Sequence, residues 1–306
     1  MRWTISTSRD VDRVPRVTAV LLQQLVNGVT IGVVYALIAV GLTLVFGILD
    51  VINFAHGEFY MIGAFVTHAL TVSVGLDYFV ALMLAAVGGA VVGVTAERLS
   101  VRPLKDRHMF TVVLSTLGLS ILLQNGALLT VGPDPREIEL AWGSRPIIIG
   151  GVVITYLRAA VLVTGAALIG ILTWFIRRTV WGMAMRAVAT NRAAAALMGI
   201  HVDRIYALTF AIGAALAGVA GGLLGAMFTI EPSMGEWAVV KAFSVVIMGG
   251  MGNVPGAVLG GIILGVAESL GAGFLPGGTS YKDGIGYAIL ILVLLCRPQG
   301  LFGRSA

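Results

Sequence analysis

The densest polar group inside an apolar stretch of the sequence lies at residues 51–59, which read Val-Ile-Asn-Phe-Ala-His-Gly-Glu-Phe. Ionisable side chains within an apolar region are costly, so they face the protein interior or a water-filled cavity. His56 and Glu58 offer only two zinc ligands, whereas a catalytic zinc takes about three from the protein. No nucleophile motif accompanies them, so we expect neither a metal site nor a catalytic site. Asn53, His56 and Glu58 therefore either cap the ends of broken helices or line a pathway.

A second break lies at residues 249–256, which read Gly-Gly-Met-Gly-Asn-Val-Pro-Gly between two short apolar arms. This composition predicts a broken-helix hairpin, which a membrane tolerates only where protein covers it or water lines it. Asn253 at the tip is a further pathway candidate. Glu268 in the second arm is another, although pairing with Lys241 explains this carboxylate equally well.

A short helix is predicted at residues 191–199, within a basic segment of the chain. Asn191 is a favoured N-cap, the four following alanines are the strongest helix formers, and Gly199 is a favoured C-cap. Leu197 and Met198 would need a partner surface to bury them. A helix that rests on the membrane surface is the alternative.

The composition requires most of the chain to lie in a membrane. Of 306 residues, 58% are hydrophobic and 11% are charged, against about 25% charged in a soluble domain. Runs such as residues 17–49 and 205–230 carry no charge and exceed the roughly 18 apolar residues typical of a spanning helix. The net charge of +5 is explained by arginines in loops that orient the protein and meet anionic lipid, not by nucleic acid binding.

Basic connections predict which loops share a side of the membrane. The segments predicted to be cytoplasmic are residues 98–108, 177–204 and the tail from 297, whereas residues 134–145 are predicted to lie outside. The basic residues before the first apolar run predict a cytoplasmic N-terminus, and an N-terminus outside the membrane is the alternative. If the N-terminus is cytoplasmic, the number of membrane crossings agrees with the loop charges only if the chain turns near Gly41, dips to residues 53–57 and returns.

We therefore predict an all-α fold, a polytopic transmembrane helical bundle of about eight spanning helices. Two re-entrant or broken hairpins interrupt it, at residues 53–57 and 253–256. An Asn and a Gly occur in both tips, which raises the hypothesis that two halves are related as an internal repeat.

Several motifs resemble the permease family of branched-chain amino acid ABC importers. They include residues 27–37, the Val-Ile-Asn-Phe-Ala-His-Gly-Glu of residues 51–58, residues 198–210, the break at 249–256, and Arg-Pro-Gln-Gly-Leu at 297–301. The resemblance covers nearly the whole chain beyond the first fifteen or so residues. It is closer to the shorter, H-type permease subunit than to its M-type partner.

The resemblance implies a complex rather than a protein that acts alone. Its partners would be a second, M-like permease subunit, two cytoplasmic ABC ATPase subunits and an extracytoplasmic solute-binding protein, in the bacterial plasma (inner) membrane. The chain itself would be no enzyme and would need no cofactor. None of its three lysines lies in a Gly-x-x-x-x-Gly-Lys-Ser/Thr loop, so ATP hydrolysis would fall to the partners.

The apolar and basic segments predict domain bounds, and the resemblance implies a coupling helix. Residues 1–18 would be a cytoplasmic tail, 19–300 the transmembrane permease domain with a coupling loop at 177–204, and 301–306 a second cytoplasmic tail. The residues expected to contact an ATPase are Arg192, Ala193, Ala194, Ala195, Leu197, Met198 and Gly199. Ala193 stands where ABC importers often have Glu, so a polar contact would fall to Arg192 or Arg186 instead.

The substrate is less closely defined by these motifs than the architecture. Branched-chain amino acids are the expected cargo, and urea, short amides or other amino acids are alternatives within the same family. A different class, an ion-coupled secondary transporter, would need an acidic site at mid-membrane. Asp50, Glu58 and Glu268 could supply such a site.

Overall fold

In the computed structural model, which describes residues 13–303 apart from 106, 150, 151, 276 and 279, the chain folds into helices α1–α11 and one β-hairpin. The helices are α1 Arg13–Leu49, α2 His56–His68, α3 Tyr78–Ala96, α4 Met109–Val131, α5 Tyr156–Arg178, α6 Val180–Thr190, α7 Arg192–Leu197, α8 Val202–Gly225, α9 Met234–Gly249, α10 Val254–Phe274 and α11 Lys282–Cys296. The antiparallel strands are β1 Pro146–Ile149 and β2 Val152–Thr155. Short π-helical and 3-10 turns follow α2 and α3, at Ala69–Ser73, Glu97–Val101 and Arg102–Leu104.

Six helices of the described chain are long and apolar enough to cross a membrane. These segments are Val17–Leu49, Tyr78–Leu104, Met109–Val131, Tyr156–Arg178, Val202–Gly225 and Val254–Phe274. Helices α2, α9 and α11 are shorter, with 13, 16 and 15 residues. The predicted helical membrane bundle is confirmed, whereas the predicted number of eight spans is not.

The two ends of the bundle differ in charge. At one end, called the basic end here, Arg102 and Lys105 pair with Asp203 at 2.8 and 2.7 Å. A cavity of about 1120 Å³ at the same end joins the α5–α6 region to the C-terminal segment, and its lining includes Arg177, Arg186 and Pro298. At the other end, called the hairpin end, the chain before β1 bonds to residue 230 through paired backbone groups. The loops predicted to share a side therefore do share an end of the bundle.

Helix α1 runs from the hairpin end to the basic end. Near its start, the Gln23 side chain donates to the Val153 carbonyl oxygen and accepts from the Val153 N–H, each at 2.9 Å. Near its end, Gly47 lies against Gly252, beside the cavity at the basic end. The described start of α1 thus lies at the end opposite to the α6–α7 loop.

Two predictions about the N-terminal half need correction. Residues 1–18 and 177–204 were both expected in the cytoplasm, yet the part of α1 that precedes residue 18 belongs to the hairpin end. Residues 1–12 of that tail lie outside the described chain. The predicted turn near Gly41 is wrong, because α1 continues through it. Gly41 is there for close packing, since a Cβ on it would lie 2.7 Å from the Gly213 carbonyl oxygen.

Helices α1–α2–α3 and α8–α9–α10 form two similar units that run in opposite directions. Helix α1 packs on α10, and α8 packs on α3 in the same way. Both pairs are antiparallel, and glycines lie where the two backbones come closest. Likewise α9 packs on α1 as α2 packs on α8. The close pairs are Gly28–Val266 and Gly47–Gly252 between α1 and α10, and Gly89–Ala214 and Gly93–Phe210 between α3 and α8.

The starts of α2 and α9 meet in the middle of the bundle. A Cβ added at Gly57 would lie 2.0 Å from the carbonyl oxygen of Gly235, so only glycine fits this crossing. The local sequences agree, with His-Gly-Glu-Phe at 56–59 and Met-Gly-Glu-Trp at 234–237. The internal repeat is thus inverted, and its matching breaks are residues 50–55 and 226–233. The sequence analysis matched residues 53–57 with residues 253–256, and this match is wrong because the equivalent break lies at residues 226–233.

The tip of the α9–α10 hairpin lies at the basic end, not halfway through the bundle. It is held by the C-terminal segment, because the Leu301 N–H donates to the Met248 carbonyl oxygen at 2.8 Å. The Asn253 side chain donates to the Phe302 carbonyl oxygen, also at 2.8 Å. Met251 is 59% exposed, so the predicted covering of this tip by protein is only partial.

Backbone contact between α2 and α8 makes a glycine substitution there destabilising. A Cβ at Gly221 would lie 1.9 Å from the Tyr60 carbonyl oxygen, and overpacking of this kind typically costs about 1–3 kcal/mol. We expect Gly221→Ala to lower the thermal unfolding temperature of the purified chain in detergent. Gly170→Ala in α5 is the matched control, since a Cβ there meets nothing within 4 Å. Equal unfolding temperatures for the two variants would contradict this packing.

Candidate functional site

The break between α1 and α2 is held by side chains that bond to backbone. Asn53 is buried, and its Oδ1 accepts from the Ala55 N–H at 3.1 Å, which forms an Asx turn. The ring of His56 is also buried, and its Nε2–H donates to the Ile38 carbonyl oxygen at 3.0 Å. Asn53 thus closes the turn before α2, and His56 ties the start of α2 to the middle of α1, whereas neither side chain caps the N-terminus of α2.

Glu58, the third residue of α2, is placed differently. Its side chain is buried, and its Oε1 accepts from the Ser120 hydroxyl of α4 at 3.0 Å. Its Oε2 has no hydrogen-bond partner among the described residues. A buried carboxylate oxygen without a partner is expensive, which marks this position for a role beyond helix capping.

Glu236 is the equivalent third residue of α9, and it faces the same helix. The Gln124 side-chain amide of α4 donates to its Oε1 at 3.2 Å. Because Ser120 and Gln124 lie one helical turn apart, they hold the two carboxylates beside each other. Glu58, Ser120, Gln124 and Glu236 are called the central acidic site below.

The α4 contribution to this site was missed by the sequence analysis. Thr116, Ser120 and Gln124 follow each other at four-residue spacing and so share one face of α4. Thr116 completes the stripe by accepting from the Phe54 N–H at 3.3 Å, within the α1–α2 break. The recurrence of polar residues every four positions on one face of α4 was the signal that could have found it.

The other two pathway candidates have local partners. Asn253 caps α10, because its Oδ1 accepts from the Gly256 N–H at 3.0 Å. Glu268 is fully buried and pairs with Lys241. This pairing is the alternative to pathway lining that the sequence analysis gave for Glu268. The Tyr35 hydroxyl donates to Glu268 Oε2 at 2.9 Å, and Asp283 lies 2.8 Å from the Lys241 ammonium. Tyr35, Lys241, Glu268 and Asp283 are called the ion-pair cluster.

A cavity of about 330 Å³ adjoins the start of α9. It is lined mainly by α1, α2 and residues 228–234, with aromatic, acidic and basic side chains among them. The polar and aromatic lining residues include Tyr35, Tyr60, Glu231, Trp237 and Lys282. A cavity with this lining can take a small molecule that carries both charges and an apolar group.

Helix α7 forms with the predicted caps. The Asn191 side chain accepts from the Ala194 N–H at 3.0 Å, and Gly199 closes the helix with a φ of 84°, which favours glycine. Leu197 and Met198 are 89% and 83% exposed, so their apolar side chains have no cover within the described chain. Residues 192–194 and 199 are exposed as well.

Ala195 departs from the rest of the predicted coupling set. It is buried in the chain, at 5% exposure, because α7 rests this residue on the bundle. Ala195 thus anchors the helix and does not offer a surface to a partner. The exposed apolar pair on α7 consists of the two residues that follow the alanines.

Comparison with known proteins places this architecture in a family. Residues 24–294 match the family model described as "Branched-chain amino acid transport system / permease component". The chain is 43% identical to the high-affinity branched-chain amino acid transport system permease protein BraD of Pseudomonas aeruginosa, over 92% of this chain and 96% of that one. The identity and both shares are the same for the permease protein LivH of Escherichia coli K12. Similarity extends to the E. coli permease protein LivM, at 27% identity over 89% of this chain and 68% of that one. The chain belongs to the branched-chain amino acid transport system permease family.

Proposed function

We propose that this chain is one of two membrane-spanning permease subunits of an ABC importer, which carries branched-chain amino acids across the bacterial inner membrane. Its family and its 43% identity to relatives named as branched-chain amino acid permeases support this proposal. The similarity to LivM supports pairing with a second, M-like permease subunit.

The observation that carries the coupling to ATP hydrolysis is the exposed end of α7. Leu197 and Met198 present two apolar side chains at the basic end, next to a capped helix that the bundle holds in place. Two cytoplasmic ATPase subunits would supply the energy, and one of them would cover this surface. The solute-binding protein would dock at the opposite, hairpin end.

The basic end is proposed to face the cytoplasm, because arginine-rich connections are retained there. Since α1 starts at the hairpin end, its first residues would then lie outside, which revises the earlier placement of residues 1–18. In a Cys296→Ala background, Arg192→Cys should react with an impermeant thiol reagent only from the cytoplasmic side. Glu137→Cys should react only from the outside. Labelling of both positions from one side would contradict this topology.

The function itself is tested by reconstitution. The chain would be co-expressed with its partner permease, ATPases and binding protein, and leucine uptake would be measured in proteoliposomes. We expect uptake that requires ATP and all subunits. Uptake of urea or short amides in place of leucine would show that the proposed substrate is wrong. Uptake driven by an ion gradient without ATP would replace the ABC proposal by an ion-coupled transporter.

A further inference from the structure

We propose that the central acidic site binds the ammonium group of the amino acid in transit. The proposal rests on the proposed function, which it deepens by assigning a substrate contact to Glu58, Ser120, Gln124 and Glu236. These four residues come from α2, α4 and α9, and none belongs to the coupling helix.

The site carries negative charge that the chain leaves uncompensated. In the part of the chain that the structure describes, the ion pairs involve neither Glu58 nor Glu236. Lys241, the buried lysine five residues beyond Glu236, is paired with Glu268 and Asp283. A cation is therefore the group that this site lacks.

The geometry suits a primary ammonium group. Side chains one helical turn apart have their Cβ atoms about 5–6 Å apart, so Ser120 and Gln124 hold two carboxylates within reach of one small cation. An ammonium group has three N–H donors. The Oε2 of Glu58 is an acceptor without a partner among the described residues, and bonds from an ammonium to carboxylates are charge-assisted and strong.

The position in the fold gives a passing molecule access. Glu236 is exposed and Gln124 is half-buried, so the site opens along α4 and is not sealed in the core. The 330 Å³ cavity borders Met234 and Trp237, on either side of the Gly235–Glu236 pair. The site also lies where α2 and α9 begin, midway between the two ends of the bundle.

Neutral variants of the carboxylates test the proposal in the assembled importer. Glu58→Gln and Glu236→Gln keep the side-chain shape and remove the charge. We expect each to lower the rate of leucine uptake at least tenfold, while the permease pair and the ATPases still co-purify. Glu137→Gln, an exposed carboxylate between α4 and β1, is the control and should keep wild-type uptake. If Glu58→Gln fails to assemble, the exposed Glu236→Gln carries the test.

A second measurement reports the charge of the site directly. In the Cys296→Ala background, Gln124→Cys would be modified in the whole importer by cationic 2-aminoethyl methanethiosulfonate or its anionic sulfonatoethyl analogue. We expect the cationic reagent to react at least tenfold faster, after correction for their rates with a free thiol. Glu58→Gln with Glu236→Gln should remove this preference.

The outcomes separate the two proposals. A wild-type importer that takes up no amino acid would overturn the proposed function. Wild-type leucine uptake that persists in the assembled Glu236→Gln variant, or no charge preference at Gln124→Cys, would overturn the ammonium site alone.

Discussion

Replacement of Lys241 by Met should lower the free energy of unfolding by about 3–5 kcal/mol, since loss of one partner strands the other in a buried ion pair. Lys241 and Glu268 are 1% and 0% exposed and contact each other directly. The variant would leave Glu268 with the Tyr35 hydroxyl and with Lys282, whose ammonium is 3.9 Å away. The measurement is thermal unfolding of the purified permease in detergent, and a fall of at least about 6 °C is expected.

The double variant Lys241→Met/Glu268→Gln is the test of cause. It removes the buried charge together with its partner, so it should recover most of the lost stability. Lys282→Met is the matched single control, because Lys282 is partly exposed and more distant from Glu268. If the double variant unfolded as early as Lys241→Met, lost packing and not the stranded carboxylate would explain the effect.

Replacement of both Leu197 and Met198 by Asp should abolish ATPase association and leucine uptake. Burial of each side chain by a partner contributes about 1.5–3 kcal/mol, so loss of both corresponds to roughly a hundredfold or greater loss of affinity. The charges that replace them would also be desolvated in the contact. Co-purification of the ATPase subunits and uptake in proteoliposomes measure the two effects.

The stability of the permease itself should not change, because both side chains are more than 80% exposed. Leu197→Met with Met198→Leu is the matched control, since it exchanges the two apolar side chains, and it should keep both association and uptake. Normal ATPase association in the double Asp variant would show that α7 is not the coupling surface.

Local signals predicted the local structure well. The cap residues Asn191 and Gly199 predicted α7, and the polar stretch at residues 51–59 predicted the break before α2. Such signals succeed because a cap or a break is set by the conformational preferences of a few adjacent residues. The helical membrane bundle followed from composition for a different reason, because backbone groups within lipid must be hydrogen-bonded internally.

The arrangement of these elements could not be predicted in the same way. The Gly57–Gly235 crossing and the Ser120–Glu58 bond join residues far apart in the chain, and no local preference reports such pairs. Gly41 illustrates the difficulty, because a glycine that ends a helix and a glycine that lets two helices touch look alike in one sequence. The direction of α1 was predicted wrongly because the basic residues that precede it were interpreted as a cytoplasmic signal.

The inverted repeat has a consequence for insertion into the membrane. Because the two units have opposite orientations, their equivalent connections lie on opposite sides of the membrane. If both units carried the same loop charges, the positive-inside rule would favour opposite orientations of the whole protein. The α3–α4 connection carries Arg98, Arg102, Lys105 and Arg107, whereas residues 275–281 between α10 and α11 carry no lysine or arginine. The near-symmetric helices therefore favour neither orientation of the protein in the membrane. The orientation is determined by the charged loops, in which the two units differ.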